Sequence, residues 1–174
     1  MNELELLKDI TSDFIVNIQI AFQDREYLYL GLDLFRGGDL RYHLINQRTF
    51  TEKQSMFLIG CIITGLLHIS LLIQGLEHIH SKNIVHRDIK PENLIFNSKG
   101  YLHITDFGIS RKYKHIPLTE MSGTPCYMAP EILMKSGHSY SADTYAMGII
   151  LHEFMTGKRP YRGRSRKDVT YINI

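Results

Sequence analysis

Cysteine, net charge and charged residues in one long stretch are what this sequence has least of. Two cysteines stand in 174 residues, Cys61 and Cys126, far apart and without metal-ligand spacing. Free thiols in a reducing compartment, and so a cytoplasmic protein, are expected. The formal net charge is only +2, which gives no reason to expect nucleic acid or an anionic membrane as partner. Nine histidines form no ligand pairs beyond His78 and His80, so all except His86 read as surface or core residues. The start, Met1 to Asp9, is acidic and amphipathic and does not read as a signal peptide. From Met56 to Leu76 no charged residue occurs over 21 positions, the length of a transmembrane candidate. Thr64, His68, Ser70 and Gln74 interrupt that stretch, and a membrane span is not expected. An apolar content of 44% is enough for the core of one ordinary domain.

The polar residues that matter are clustered. His86-Arg87-Asp88-Ile89-Lys90-Pro91-Glu92-Asn93 places an acid, a base and an amide within six residues. Pro91 disfavours helix at Lys90. Ile84-Val85 before and Leu94-Ile95-Phe96 after are β-prone apolar runs, so the cluster reads as a loop pinned between buried segments. Such a loop can present a carboxylate to accept a proton, an ammonium to meet a phosphate and an amide oxygen to hold a divalent cation. Thirteen residues after Asn93 comes Asp106-Phe107-Gly108, a second carboxylate on a turn after the alternating run Tyr101 to Thr105. Ala129-Pro130-Glu131 stands further on. Each motif alone is weak; the order and spacing of the three are specific. The chain resembles the catalytic domain of eukaryotic protein kinases. Lys90 two places after Asp88, and Gly-Thr-Pro-Cys-Tyr-Met-Ala-Pro-Glu from Gly123 to Glu131, resemble the serine/threonine type. Gly37-Gly38-Asp39-Leu40 is most similar to the AGC-like group that contains the cyclic-nucleotide-dependent kinases.

That resemblance implies an α+β fold, a remnant of a β-rich small lobe followed by a mostly helical large lobe. It implies ATP and Mg²⁺ as cofactors and a protein hydroxyl as substrate. Asp88 would orient and deprotonate the hydroxyl, Lys90 would neutralise the moving phosphoryl, and Asn93 and Asp106 would hold Mg²⁺. Thr124 would hydrogen-bond Asp88 and Lys90. Leu32, Asp33, Phe35, Asp39, Glu92 and Ile95 would surround the nucleotide, Leu32 as gatekeeper, Asp33 to Phe35 through the hinge backbone and Asp39 at the ribose. Asp39 equally suits a helix N-cap, and both can hold. Glu3 matches the ion-pairing Glu of the small-lobe helix. Arg87 and Arg111 match a cationic pocket for an activation-loop phosphate. Thr119 and Ser122 are candidate acceptors, while Glu120 stands at the usual position and can supply a fixed charge.

Along the chain, residues 1–32 read as the small-lobe remnant, 33–39 as the hinge and 40–174 as part of the large lobe. Leu4, Leu7 and Ile10 sit at helical spacing. Phe14 to Phe22 and Tyr27 to Leu32 read as strands joined by the turn Gln23 to Glu26. Tyr42 to Ile45 belong to a short helix, and Thr51 is an N-cap for a helix expected to run to His80. That helix is ten residues longer than its family counterpart, and Gly65 to Ile69 nearly repeats Gly75 to Ile79. Residues 64–73 therefore read as an insertion, by local duplication or by translation of non-coding sequence. Asp143 to Gly148 resembles the helix whose Asp braces the catalytic loop, with Tyr145 where the family usually has Trp. Ala146 to Phe154 is apolar enough for a core helix, and Arg162 to Lys167 reads as a solvated loop.

The Gly-rich loop and the strand with the ATP-binding Lys find no room before Glu3, and the large lobe's last helices find none after Val169. The chain as given is accordingly expected to transfer phosphate poorly. Two other readings are a non-catalytic kinase-like binding module and a membrane-anchored interaction protein using residues 56–76.

Overall fold

The computed structural model describes residues 2–59 and 71–161. Helix α1 (Asn2–Asp9) opens with Glu3 and Glu5 in its first turn, where acidic side chains suit the helix dipole. Its buried face is Leu6, Leu7 and the following Ile10, each at most 2% exposed; Leu4 is only half-buried.

Strands β1 (Ile18–Gln23) and β2 (Leu28–Leu32) form an antiparallel hairpin with Phe22 opposite Tyr29. The Asp24 carboxylate closes the turn, accepting from the backbone N–H groups of Glu26 and Tyr27 at 2.8 and 2.6 Å and from the Tyr29 hydroxyl at 2.8 Å. The first strand begins four residues later than the sequence reading placed it. Phe14 to Val16 bond instead to Ile104, through Ile104 N–H to Phe14 O and Val16 N–H to Ile104 O, both 2.9 Å. Ile15 is thereby fully buried, which the hairpin's exposed faces could not offer.

Residues 33–39 are fastened at both ends. The Asp33 N–H donates to Asn17 O at 3.0 Å, while Gly37 N–H and Gly38 O bond to Phe96 at 2.9 Å each. A Cβ on Gly37 would lie 2.5 Å from Phe96 O, so this close approach requires glycine. Asp39 caps α2 (Leu40–Gln47), accepting from Tyr42 N–H at 2.8 Å.

Helix α3 (Glu52–Ile59) starts with a reciprocal box. Gln54 N–H donates to Thr51 Oγ1 at 3.3 Å and Thr51 N–H to Gln54 Oε1 at 2.9 Å. Helix α4 (Leu71–Ser81) packs against α3. In one straight helix Ile59 and Leu71 would be about 18 Å apart, so α3 and α4 are not collinear parts of the single helix expected from Thr51 to His80. Residues 60–70, and with them most of the 64–73 insertion and the middle of the uncharged stretch, lie outside the described residues, as does Arg162 to Lys167. Among the described residues no helix is long and apolar enough to cross a membrane.

Beyond α4 come β3 (Ile84–Val85), paired with β6 (Arg111–Lys112), and β4 (Leu94–Phe96), paired with β5 (Leu102–Ile104). Helices α5 (Pro130–Leu133) and α6 (Ser141–Thr156) follow. One core gathers Leu6, Ile15, Leu40, Ile79, Ile84, Leu94, Ile104, Phe107, Ile150 and Phe154. A second cluster joins Met128, Ala129, Ile132 and Leu133 to Ala142. The loop between β3 and β4 is anchored in the first of these by Ile89.

Candidate active site

That loop is held first through its backbone. Asp143, on the first turn of α6, is 1% exposed. Its carboxylate accepts from the N–H groups of His86 and Arg87 at 2.9 and 2.8 Å, and lies 2.8 Å from His80 Nε2. Arg87 adopts the left-handed backbone, φ 71°, which aims both N–H groups at one acceptor. His86 is fully buried. Its Nδ1 accepts from Asp88 N–H at 3.3 Å, so Nε2, 3.1 Å from Thr105 O, carries the proton. Burial pushes the His86 pKa down and keeps the ring neutral, although Asp143 works the other way.

Asp88 is then oriented through both carboxylate oxygens. Oδ1 accepts from Thr124 N–H at 2.9 Å and Thr124 Oγ1 at 2.8 Å. Oδ2 accepts from Lys90 Nζ at 2.6 Å and Asn93 Nδ2 at 3.2 Å. Lys90 Nζ also donates to Thr124 Oγ1 at 3.0 Å, and Asn93 Nδ2 to Asp88 O at 2.9 Å. Pro91–Asn93 forms a 3₁₀ turn, which places Asn93 back over Asp88. The Asn93 amide nitrogen thus donates to Asp88, which leaves the side-chain oxygen as the atom able to ligate a cation.

Asp106 follows β5, exposed and left-handed at φ 65°, with Gly108 N–H donating to its Oδ1 at 3.2 Å. Glu3 of α1 lies beside it. Burial and the Asp106 charge raise the Glu3 pKa, while a bond from the Phe107 backbone N–H lowers it. Thr105 N–H donates to Asn93 O at 3.0 Å, joining the Asp106 turn to the loop. Among the described residues no group of three or more His, Cys, Asp or Glu is placed to hold a metal.

The residues expected to surround the nucleotide are spread over the end of β2, residues 33–39, the 3₁₀ turn and β4. Leu32 ends β2 with 38% exposure. The Asp33 carboxylate turns to Asn17 and Gln19; burial raises its pKa, and the bonds from Asn17 and Gln19 outweigh that and lower it. The Phe35 ring stacks on His103 with centroids 4.2 Å apart. Asp39 bridges to Ile95 of β4 and Glu92 bonds to Arg41. A cleft of about 760 Å³ lies behind the hinge, lined by Asp13, Asn17, Asp33, Phe35, Tyr101 and His103 among others. Asp88 does not line it.

Arg87 and Arg111 converge on Glu120. Arg87 Nη1 donates to Glu120 Oε2 at 3.2 Å, and Arg111 Nε lies 3.6 Å from the same oxygen. The Arg87 side chain is 1% exposed and that of Glu120 63%. Burial lowers the Arg87 pKa, and the bond to Glu120 opposes this. Arg87 Nε also donates to Ile109 O at 2.8 Å. Thr119 is exposed, whereas Ser122 Oγ is buried without a hydrogen-bond partner among the described residues.

Sequence reasoning overlooked Arg41, Tyr127 and Glu153, which interlock beside this site, and treated His80 as ordinary. A glutamate inside the otherwise apolar run of α6 was the available signal.

The protein kinase domain model matches residues 1–174, and the chain belongs to that family. Ribosomal protein S6 kinase alpha-1 from Homo sapiens is 38% identical over 168 residues, covering 95% of this chain and 22% of the relative. Ribosomal protein S6 kinase 2 alpha from Gallus gallus is 38% identical over 168 residues, 95% of this chain and 21% of the relative. The putative ribosomal protein S6 kinase alpha-1 of Caenorhabditis elegans is 39% identical over 168 residues, 95% and 20%. The chain thus spans about a fifth of the length of these relatives. They belong to the AGC group, which the Gly37 to Leu40 motif resembles, and kinases of this family generally use ATP and Mg²⁺.

Proposed function

We propose that this chain is the catalytic segment of a serine/threonine protein kinase that transfers the γ-phosphoryl of ATP to a protein hydroxyl. The observation that carries the reading is the double-sided grip on Asp88, whose Oδ1 faces Thr124 and whose Oδ2 faces Lys90 and Asn93. A carboxylate so fixed can orient a substrate hydroxyl and take its proton, while Lys90 Nζ meets the transferring phosphoryl. The Asn93 side-chain oxygen and the Asp106 carboxylate are hard donors of the kind Mg²⁺ takes together with substrate phosphates. When bound, Mg²⁺ neutralises charge on the phosphate oxygens. The backbone of residues 33–35 receives adenine beside Leu32, with Asp39, Glu92 and Ile95 along the ribose and phosphate path and Glu3 bracing the Asp106 turn. Glu120 supplies Arg87 and Arg111 with a built-in anion in place of a phosphorylated Thr119 or Ser122.

The test is phosphate transfer from radiolabelled ATP by the full-length protein. Asp88→Asn, which keeps the shape and removes the charge, is expected to lower the rate by about 10²-fold or more with the melting temperature little changed. Transfer by Asp88→Asn at the parent rate would refute the reading.

A further inference from the structure

Arg41 sits on the first turn of α2, half-buried among side chains from three distant segments. Its Nε donates to Glu92 Oε1 at 2.9 Å, and Nη1 and Nη2 donate to the two oxygens of Glu153 at 2.8 and 3.2 Å. Nη2 also donates to the Tyr127 hydroxyl, which itself donates to Glu153 Oε2 at 2.6 Å. The Glu153 side chain is 8% exposed, so its carboxylate depends on these partners for what water would otherwise supply. Burial pulls the Arg41 pKa down, but Glu153 and Glu92 outweigh it and raise it. Burial and Glu153 both push the Tyr127 phenol up.

Each partner stands next to a residue of the site. Glu92 precedes Asn93 in its 3₁₀ turn, and Tyr127 closes the turn Pro125–Tyr127 that follows Thr124. Glu153 is on α6, the helix that carries Asp143. Asn93 and Thr124 hold Asp88 from opposite sides, and they come from segments with no covalent reason to keep a fixed spacing. A planar guanidinium with several donors can fix two carboxylates and a phenol at once.

We propose that Arg41 is a positioning residue. Its guanidinium ties the Asn93 turn and the Thr124 turn to α6, and through them sets the orientation of Asp88. This inference rests on the proposed kinase reading only for its kinetic consequence.

The experiment is hydrogen exchange and kinetics on the full-length protein carrying Arg41→Gln, Arg41→Lys or Tyr127→Phe. In Arg41→Gln the Thr124 amide, which donates to Asp88, is expected to exchange about tenfold faster, one charge-assisted hydrogen bond being worth that much. The Tyr27 amide in the hairpin turn keeps its parent rate. The kcat falls, and tens of millimolar guanidinium restores part of it. Arg41→Lys recovers little, because an ammonium cannot span three acceptors. Parent-like exchange at Thr124 in Arg41→Gln overturns the proposal, as does full recovery by Arg41→Lys. Should Arg41→Gln not fold, Tyr127→Phe decides: a few-fold faster Thr124 exchange supports the proposal and parent exchange overturns it. A parent protein without transferase activity would refute the kinase reading while leaving the exchange comparison decisive for Arg41.

Discussion

Asp24 and Asp143 do similar chemistry in two very different places. Among the described residues each carboxylate engages three partners, two of them backbone N–H groups. Asp24 sits on the exposed β1–β2 turn and reaches only two to five residues along the chain. Asp143 is buried and reaches 56 to 63 residues. The hairpin is correspondingly a local structure: Phe22 and Tyr29 stack at 4.8 Å, and both stay at least 40% exposed. Around Asp88 the short-range bonds of Lys90 and Asn93 are joined to long-range ones, since the Thr124 turn, α2 and α6 each supply a part. The difference teaches that similar hydrogen-bond sets shape one turn in the first region and bind separate segments together in the second.

Breaking the long-range member should have the larger effect. Asp143→Ala leaves two buried N–H groups and His80 without their acceptor, and each such loss costs about 1–3 kcal/mol. Urea unfolding of the full-length protein is expected to show a drop of several kcal/mol by that reckoning, with transferase activity lost. A midpoint unchanged from the parent would show that the loop holds itself. A middle case is Glu120→Gln, where the partner charges are Arg87, buried, and Arg111, half-buried. With Thr119 and Ser122 unphosphorylated, phosphate transfer should fall roughly tenfold, about one charge-assisted hydrogen bond. Stability should change by less than about 0.5 kcal/mol, because Glu120 is mostly in water. An unaltered rate would remove the built-in-anion idea. Smallest is Asp24→Ala: about 1 kcal/mol or less in thermal unfolding, with transfer untouched. A large activity loss there would mean that the hairpin is coupled to Asp88 after all.

Legibility in the sequence follows the same division. The motif residues Asp88, Lys90 and Asn93 lie close in the chain, and their proximity in space follows from one loop and one turn. The Asp39 and Thr51 caps were readable because a cap acts within three residues. The start of β1 was misjudged because Phe14 to Val16 look like strand, and only the distant Ile104 decides where they bond. Leu4, Leu7 and Ile10 stand at helical spacing, and the packing surface buries Leu7 and Ile10 but takes Leu6 in place of Leu4, which stays half-buried. Glu153 stood out within α6, but its link to Arg41 and Tyr127 could not be read because 86 and 112 residues separate Arg41 from these partners. The single helix expected across residues 51–80 assumed that an uncharged stretch continues straight, whereas α3 and α4 lie against each other.

Arg87 and Asp106 share one more property: both hold a left-handed backbone, φ 71° and 65°, that costs a side-chain-bearing residue on the order of 1 kcal/mol or more and glycine nothing. At these two positions, then, backbone strain and the roles proposed for the side chains pull in opposite directions. A mutant library sorted for thermal survival alone would be drawn toward glycine wherever the side chain's own bonds do not offset the strain. Asp106, whose carboxylate among the described residues takes a 3.2 Å bond from Gly108 N–H, is the more exposed to that drift. Arg87 is the more protected, through Ile109 and Glu120. Persistence of aspartate at 106 in a lineage evolving at high temperature would therefore be a record of continued use, readable without a single assay.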